Sequence, residues 1–226
     1  MKTASKITPQ LELLRNFLVD LASRADPNSD LLLTKFRGDP ESKGSWGVSN
    51  RIHIAALLDE ASGLDYLHDT LSGRRTMFTD CNWYMSLGVF PHADKAKLAE
   101  WDAYYNKNRK SHPDSGRSLD NATAVLGLVI DDCELDDLPT PSEIVQTSPN
   151  SQQHFYFFEQ PESVNKTNAM IGRLTGSGSV IKSTGKGDTS GNNAIRWVRP
   201  PYGKNTKAKY LNEAGEHPNV KLVDNS

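Results

Sequence analysis

The residues with the greatest capacity for chemistry are Asp131 and Asp132, which close the uncharged run in VLGLVIDDCE, residues 125–134. An aliphatic run of this length is short for a helix and fits a strand buried on both faces. Carboxylates at the end of such a strand need compensation, which a divalent cation or a lining of arginines supplies. Glu134 adds a third acid two positions on. If the strand continues, Asp132 and Glu134 share one face and Asp131 takes the other; if the chain turns, both aspartates reach one ion. Hard oxygen donors of this kind suit Mg²⁺ or Mn²⁺. The plainer alternative is a polar turn leading into residues 135–141, and the pair alone does not separate the two.

Three further stretches carry reactive or anion-binding groups. In TSPNSQQHFYF, residues 147–157, a Thr-Ser-Pro turn leads to a histidine at the mouth of an aromatic strand. The Ser148 hydroxyl, the Gln153 amide and the His154 imidazole can there be offered to a phosphate; a hairpin turn entering a core strand is the alternative. Asp188 sits in GKGDTSGNN, where a lone aspartate is most often a turn former. The last stretch, RWVRPPYGKNTK at 196–207, combines Arg196, Arg199, Asn205, Lys207 and a rigid Pro-Pro turn. Guanidinium groups match phosphate bidentately and lysines add point charge. Trp197 and Tyr202, interleaved with these cations, have the chemistry to stack on bases. A basic surface loop is the competing reading.

The elements that must position these groups follow from periodicity and breakers. Thr8-Pro9 and the spacing of Leu11, Leu14, Phe17, Leu18 and Leu21 predict a helix over 8–23. A strand follows at 31–36, a polar loop at 38–45 and a second helix at about 50–61 through Ile54, Leu57 and Leu58, with His53 structural or at the surface. Alternation of Trp83, Met85, Leu87 and Val89 predicts a strand at 82–90. Residues 92–118 read as a short helix and a loop. Strands are expected at 124–131, 143–147 and 153–159, then a helix at 163–174 with Met170, Ile171 and Leu174 inward. A Gly/Ser-rich tract precedes the basic segment, and a polar, loosely held tail begins near residue 211. This order points to α+β or mixed α/β with an antiparallel-rich sheet.

A chain of 226 residues with net charge −2 is long enough for a proper core. The charge is unevenly spread: residues 91–162 are acid-rich, whereas from Ser163 onward ten Lys and Arg face four acids. Such a division suits a metal centre beside a phosphate-binding surface. No apolar run approaches the ~18 residues of a membrane span. Cys81 and Cys133 are the only cysteines, which fits a reduced, cytoplasmic setting without a disulfide.

In their order, VIDD (129–132), TSPNSQQ (147–153) and RWVRPPYGKNTK (196–207) resemble the phage and plasmid branch of the archaeo-eukaryotic primases, the RepB-like primase or primase-polymerase domains. Members commonly read LDD, TSPGNYQ and RxxRLPxGxNxK, and the resemblance spans roughly residues 76–210. It implies an RRM-like antiparallel-rich sheet with flanking helices and residues 1–75 forming an additional αβ unit, while composition marks 211–226 as a polar tail. It implies primer synthesis on single-stranded DNA from NTPs or dNTPs at a two-metal Mg²⁺ or Mn²⁺ site, in the cytoplasm of a bacterial host, with a replicative helicase as a partner. Asp131, Asp132 and Asp188 would hold metal, with Glu134 as a substitute ligand. Gln153 is the positional match of the second motif and His154 the chemical one. Arg196, Arg199 and Lys207 would bind triphosphate or template, with Ser148 and Asn205 beside them. A non-catalytic single-stranded-DNA-binding replication module would use the same basic segment. A rolling-circle initiator ranks below both, because it needs paired histidines and only His154 lies in a suitable strand.

Overall fold

The Thr8 hydroxyl accepts a hydrogen bond from the Leu11 N–H, and Pro9 fills the first turn, where no N–H is needed, so helix α1 runs Pro9–Ala22. The structure, a computed structural model, describes residues 8–36, 39, 47–72, 81–94, 96–97, 99–100, 121–131, 139–175 and 193–223. After α1 come β1 (Ser29–Phe36), β2 (Gly47–His53), α2 (Ile54–Leu58), α3 (Gly63–Ser72), β3 (Asn82–Ser86) and β4 (Gly88–Pro91). Then follow β5 (Ala124–Asp131), β6 (Glu143–Ser148), β7 (Ser151–Glu162), α4 (Val164–Thr175), β8 (Trp197–Val198) and β9 (Lys221–Val223). The expected loop at 38–45, the helix and loop at 92–118 and the Gly/Ser tract lie largely outside the described residues.

The fold is α+β; the described residues form one nine-stranded sheet, and the pairings among them are all antiparallel. β1 has β2 on one edge and both β3 and β4 on the other. β3 and β4 are one course of chain interrupted at Leu87, and the interruption divides the sheet. β8 pairs with β3, while β5 pairs with β4 and continues through β7 and β6 to β9. β5 and β8 therefore flank the same edge and form a fork.

α1, α2 and α3 cover one face. Leu14, Phe17, Leu18 and Leu21 of α1 join Leu31, Leu33, Ile52, Trp83, Met85, Val129 and Phe155 in the main core, and Phe17 meets the Phe155 ring edge-on at 5.3 Å. α4 crosses β5, with Ile171 and Leu174 opposite Leu128 and Ile130.

Three sequence expectations need correction. The helix expected at about 50–61 begins only at Ile54, because residues 47–53 pair with residues 30–36 of β1; Ile52 shares the core face with its partner Leu31. The ladder outweighs the helical spacing of Ile54, Leu57 and Leu58, which is confined to one short turn. β7 runs past its expected end to Glu162, since Val125 remains paired there. The tail is no loose appendage: Asn205 N–H donates to Pro218 O at 2.9 Å, and β9 adds an edge strand to β6.

Gly203 ties that tail and the basic segment to β3. Its φ is +78°, and a Cβ there would lie 2.5 Å from Cys81 O and 2.7 Å from Trp83 Cδ1. We expect Gly203→Ala to lower stability by ~1–3 kcal/mol in urea denaturation, and an unchanged midpoint would show that this approach is dispensable.

Candidate active site at the fork of the sheet

β8 and the turn after it bring the basic segment into the fork between β3 and β5. Arg196 Nη2 donates to Asp131 Oδ2. Asp131 ends β5 and its side chain is 39% exposed, so solvent reaches it, whereas Arg196 is mostly enclosed. The arginine compensation that a carboxylate at a strand end requires is thus present.

Arg199, only 4% exposed, sits deeper. Its guanidinium donates to Asn82 Oδ1, to Tyr84 OH at 2.7 Å and to Asn205 Oδ1 at 2.9 Å. It also lies 4.5 Å from the centre of the Tyr84 ring, where a cation meets the negative face of the π system. The Arg199 backbone N–H donates to Gln153 Oε1 at 2.9 Å, and Asn205 Nδ2 donates to Thr147 O at 2.8 Å. One network therefore joins β3, β6, β7 and residues 199–205.

The strand register sorts the remaining candidates. Asp131 pairs with Gln153 and Ile130 with His154, so Asp131 and Gln153 share a face and His154 projects from the other. His154 is buried, with Nε2 3.4 Å from Gln152 Oε1. Ser148 is buried at the end of β6, opposite Ser151. Lys207 is half-buried just beyond the network. Asp132, Glu134 and Asp188 lie outside the described residues. The fork thus gathers Asp131, Gln153, Arg196, Arg199 and Asn205, and separates His154 from Asp131.

The stacking expectation divides. Tyr202 is 1% exposed and packs edge-on against Trp83 at 5.9 Å, and burial pushes its hydroxyl pKa up. It is a core residue with no face left for a base. Trp197 packs beside Leu32, Phe90 and Ile195. The cavity behind Arg196, between β5 and α4, measures about 20 Å³, room for roughly one water and no nucleotide.

Sequence reasoning missed Asn82 and Tyr84, which alternate with Trp83 and Met85 on β3. It also missed a group at the opposite end of the sheet. Asp30, His53 and His92 place three ligand atoms within 4.8 Å of one another, and among the described residues this cluster can hold a divalent ion. No helix of the described residues is long and apolar enough to cross a membrane.

No protein-family model matches the chain, and no curated protein sequence does. Two solved structures are similar to it. The AEP domain of the cyanophage S-2L primase-polymerase aligns with TM-score 0.49 and 15% identity over 94% of this chain and 89% of that one. Primase RepB′ aligns with TM-score 0.47 and 12% identity over 95% of this chain and 56% of that one.

Asn205 contributes to the network through both ends of its amide, so Asn205→Ala leaves Thr147 O and part of the Arg199 fork unsatisfied. The expected loss is ~1–3 kcal/mol, read as a lowered urea midpoint. A wild-type midpoint would mean the amide bonds are replaceable.

Proposed function

We propose that the chain is a template-directed nucleotidyltransferase of the primase or primase-polymerase type, using NTPs or dNTPs on single-stranded DNA in phage or plasmid replication. One observation carries the reading. Three stretches distant in the chain meet at the fork through Asp131 with Arg196, Gln153 with Arg199, and Thr147 with Asn205. These are the three stretches whose order resembles the primase motifs, and their meeting at an open strand end supports a common site.

Asp131 fits a hard-cation site: it is a carboxylate within reach of solvent, at a point where negative charge already draws a cation. Asp132, and Asp188 or Glu134, are proposed as the other oxygen donors for Mg²⁺ or Mn²⁺. Such ions, when bound, lower the pKa of an attacking 3′-hydroxyl and neutralise triphosphate charge. Arg196 lies against Asp131 and would exchange that carboxylate for a phosphate, which its planar fork matches equally well. Lys207 and Lys204 add positive potential along the same segment, and Ser148 would offer its hydroxyl to phosphate at the end of β6. Arg199 and Asn205, enclosed in the network, hold the segment in place, as does Gln153 through the Arg199 N–H. His154 would act from the other face of β7, toward the template or a phosphate arriving there.

A second reading has an observation of its own. Arg196 pairs with Asp131 and balances its charge, as suits a non-catalytic module that grips single strands electrostatically. Purified protein with Mn²⁺ or Mg²⁺, single-stranded template and labelled nucleotides should yield short oligomers. Asp131→Ala/Asp132→Ala should lower incorporation by about two orders of magnitude or more, with circular dichroism confirming the fold. Equal incorporation by both proteins would end the metal-site assignment. Strand binding without incorporation by either would establish the binding module instead.

A further inference from the structure

β1, β2 and β4 end together at the side of the sheet remote from Asp131, and each brings one potential metal ligand. Asp30 pairs with His53 across β1 and β2 and with Phe90 across β1 and β4. His92 follows directly after Pro91, the last residue of β4. His92 Nδ1 lies 2.8 Å and His53 Nδ1 3.4 Å from the same oxygen, Asp30 Oδ1. The two imidazoles are tilted 36° to one another, with ring centres 4.0 Å apart. His53 Nδ1 is buried and has no hydrogen-bond partner.

We propose that Asp30 Oδ1, His53 Nδ1 and His92 Nδ1 bind one transition-metal dication, with Zn²⁺ favoured over Mg²⁺. The donor set decides the class: two imidazole nitrogens and one carboxylate oxygen suit Zn²⁺ and its neighbours, whereas Mg²⁺ takes oxygen ligands. The spacing agrees as well. Tetrahedral coordination with bonds near 2.0–2.2 Å puts neighbouring donors ~3.4 Å apart; His53 Nδ1 already stands at 3.4 Å from Asp30 Oδ1, His92 Nδ1 at 2.8 Å must draw back slightly, and all three atoms lie within 4.8 Å of one another. The ion replaces the hydrogen between His92 Nδ1 and Asp30 Oδ1 and engages the buried His53 Nδ1, which has no hydrogen bond.

The carboxylate is already oriented for this role. Asp30 is 1% exposed, and its other oxygen, Oδ2, accepts from Arg51 Nε at 2.7 Å and from the Ala93 N–H at 3.2 Å. Arg51 also donates to Pro91 O, just before His92. These outer bonds fix the carboxylate and direct Oδ1 toward the rings, the arrangement that tunes metal ligands elsewhere. His92 also borders an open cleft of about 480 Å³ lined by Asp26, Asn28, Ser29 and Thr123, so water can complete the coordination.

The site is distinct from the fork. Thr123 N–H donates to Val89 O beside this corner, and β5 then runs to Asp131, roughly 23 Å away at ~3.3 Å per residue. An ion here would clamp the ends of β1, β2 and β4, whether or not Asp131 holds metal.

Full-length protein, stripped with a chelator and titrated in separate samples with Zn²⁺ or Co²⁺ in excess Mg²⁺, should bind one equivalent of either. Co²⁺ should give the visible absorption of a four-coordinate N/O site. His53→Gln and His92→Gln should each weaken Zn²⁺ binding at least tenfold. In ¹H–¹⁵N spectra of the wild-type imidazoles, which needs no variant to fold, Zn²⁺ should shift two of the six histidines, those assigned to His53 and His92. Absence of a stoichiometric site, undiminished binding in the folded variants, or shifts confined to other histidines would each overturn the proposal.

Discussion

Arg199 is a cation withdrawn from water, only 4% exposed, and the fork depends on how that cation is satisfied. Desolvating a guanidinium is costly unless its donors find acceptors. Asn82, Tyr84 and Asn205 supply three, and the Tyr84 ring supplies a negative face. Because these partners come from β3 and from the turn beyond β8, satisfying the charge also fixes where the basic segment crosses the sheet. Gln153 and Thr147 then tie the same unit to β7 and β6. A lysine could not replace it, since one ammonium cannot present a planar fork to acceptors spread over two elements.

With Arg199 fixed, Arg196 has little freedom three residues earlier. β8 is only two residues long, and Arg196 immediately precedes it, so it falls at the mouth of the fork beside Asp131. The two arginines therefore have different tasks. The enclosed one has its capacity used by the fold, and the one at the mouth holds a carboxylate in a pair that solvent can enter. Exchange of partner is inexpensive only for the second, because a partly exposed ion pair is worth little more than its separated, hydrated members.

Much of this was legible from residue types. The opening cap, the burial of β5 and the Leu and Phe pattern of α1 follow from local rules that tertiary packing did not override. Asp131 at the end of a buried strand was legible for the same reason. The helix predicted over residues 50–61 failed because Ile52, Ile54, Leu57 and Leu58 satisfy both periods for a few residues, and only the partner strand decides between them. The task of Arg199 was illegible: an Arg-x-x-Arg pattern advertises anion binding equally at both positions, and burial is a property of the fold. Tyr202 was misread by the same route, since an aromatic residue among cations looks like a stacking platform until Trp83 is found against it.

Asp30, His53 and His92 were harder still, because nothing in their spacing signals a shared site. Asp30 and His53 are joined by a strand register, and His92 arrives because β4 ends beside them. The geometry nevertheless has a local cause. A carboxylate buried at 1% exposure must be neutralised, and Arg51 does so at one oxygen while two imidazoles crowd the other. Arg51 alone suffices to balance the charge, so charge balance does not account for two rings converging on Oδ1 with one buried nitrogen left without a hydrogen bond. A ligand shared by all three accounts for both. The sheet would then carry a nitrogen-rich corner at one end of β5 and an oxygen donor at the other, each suited to a different class of ion.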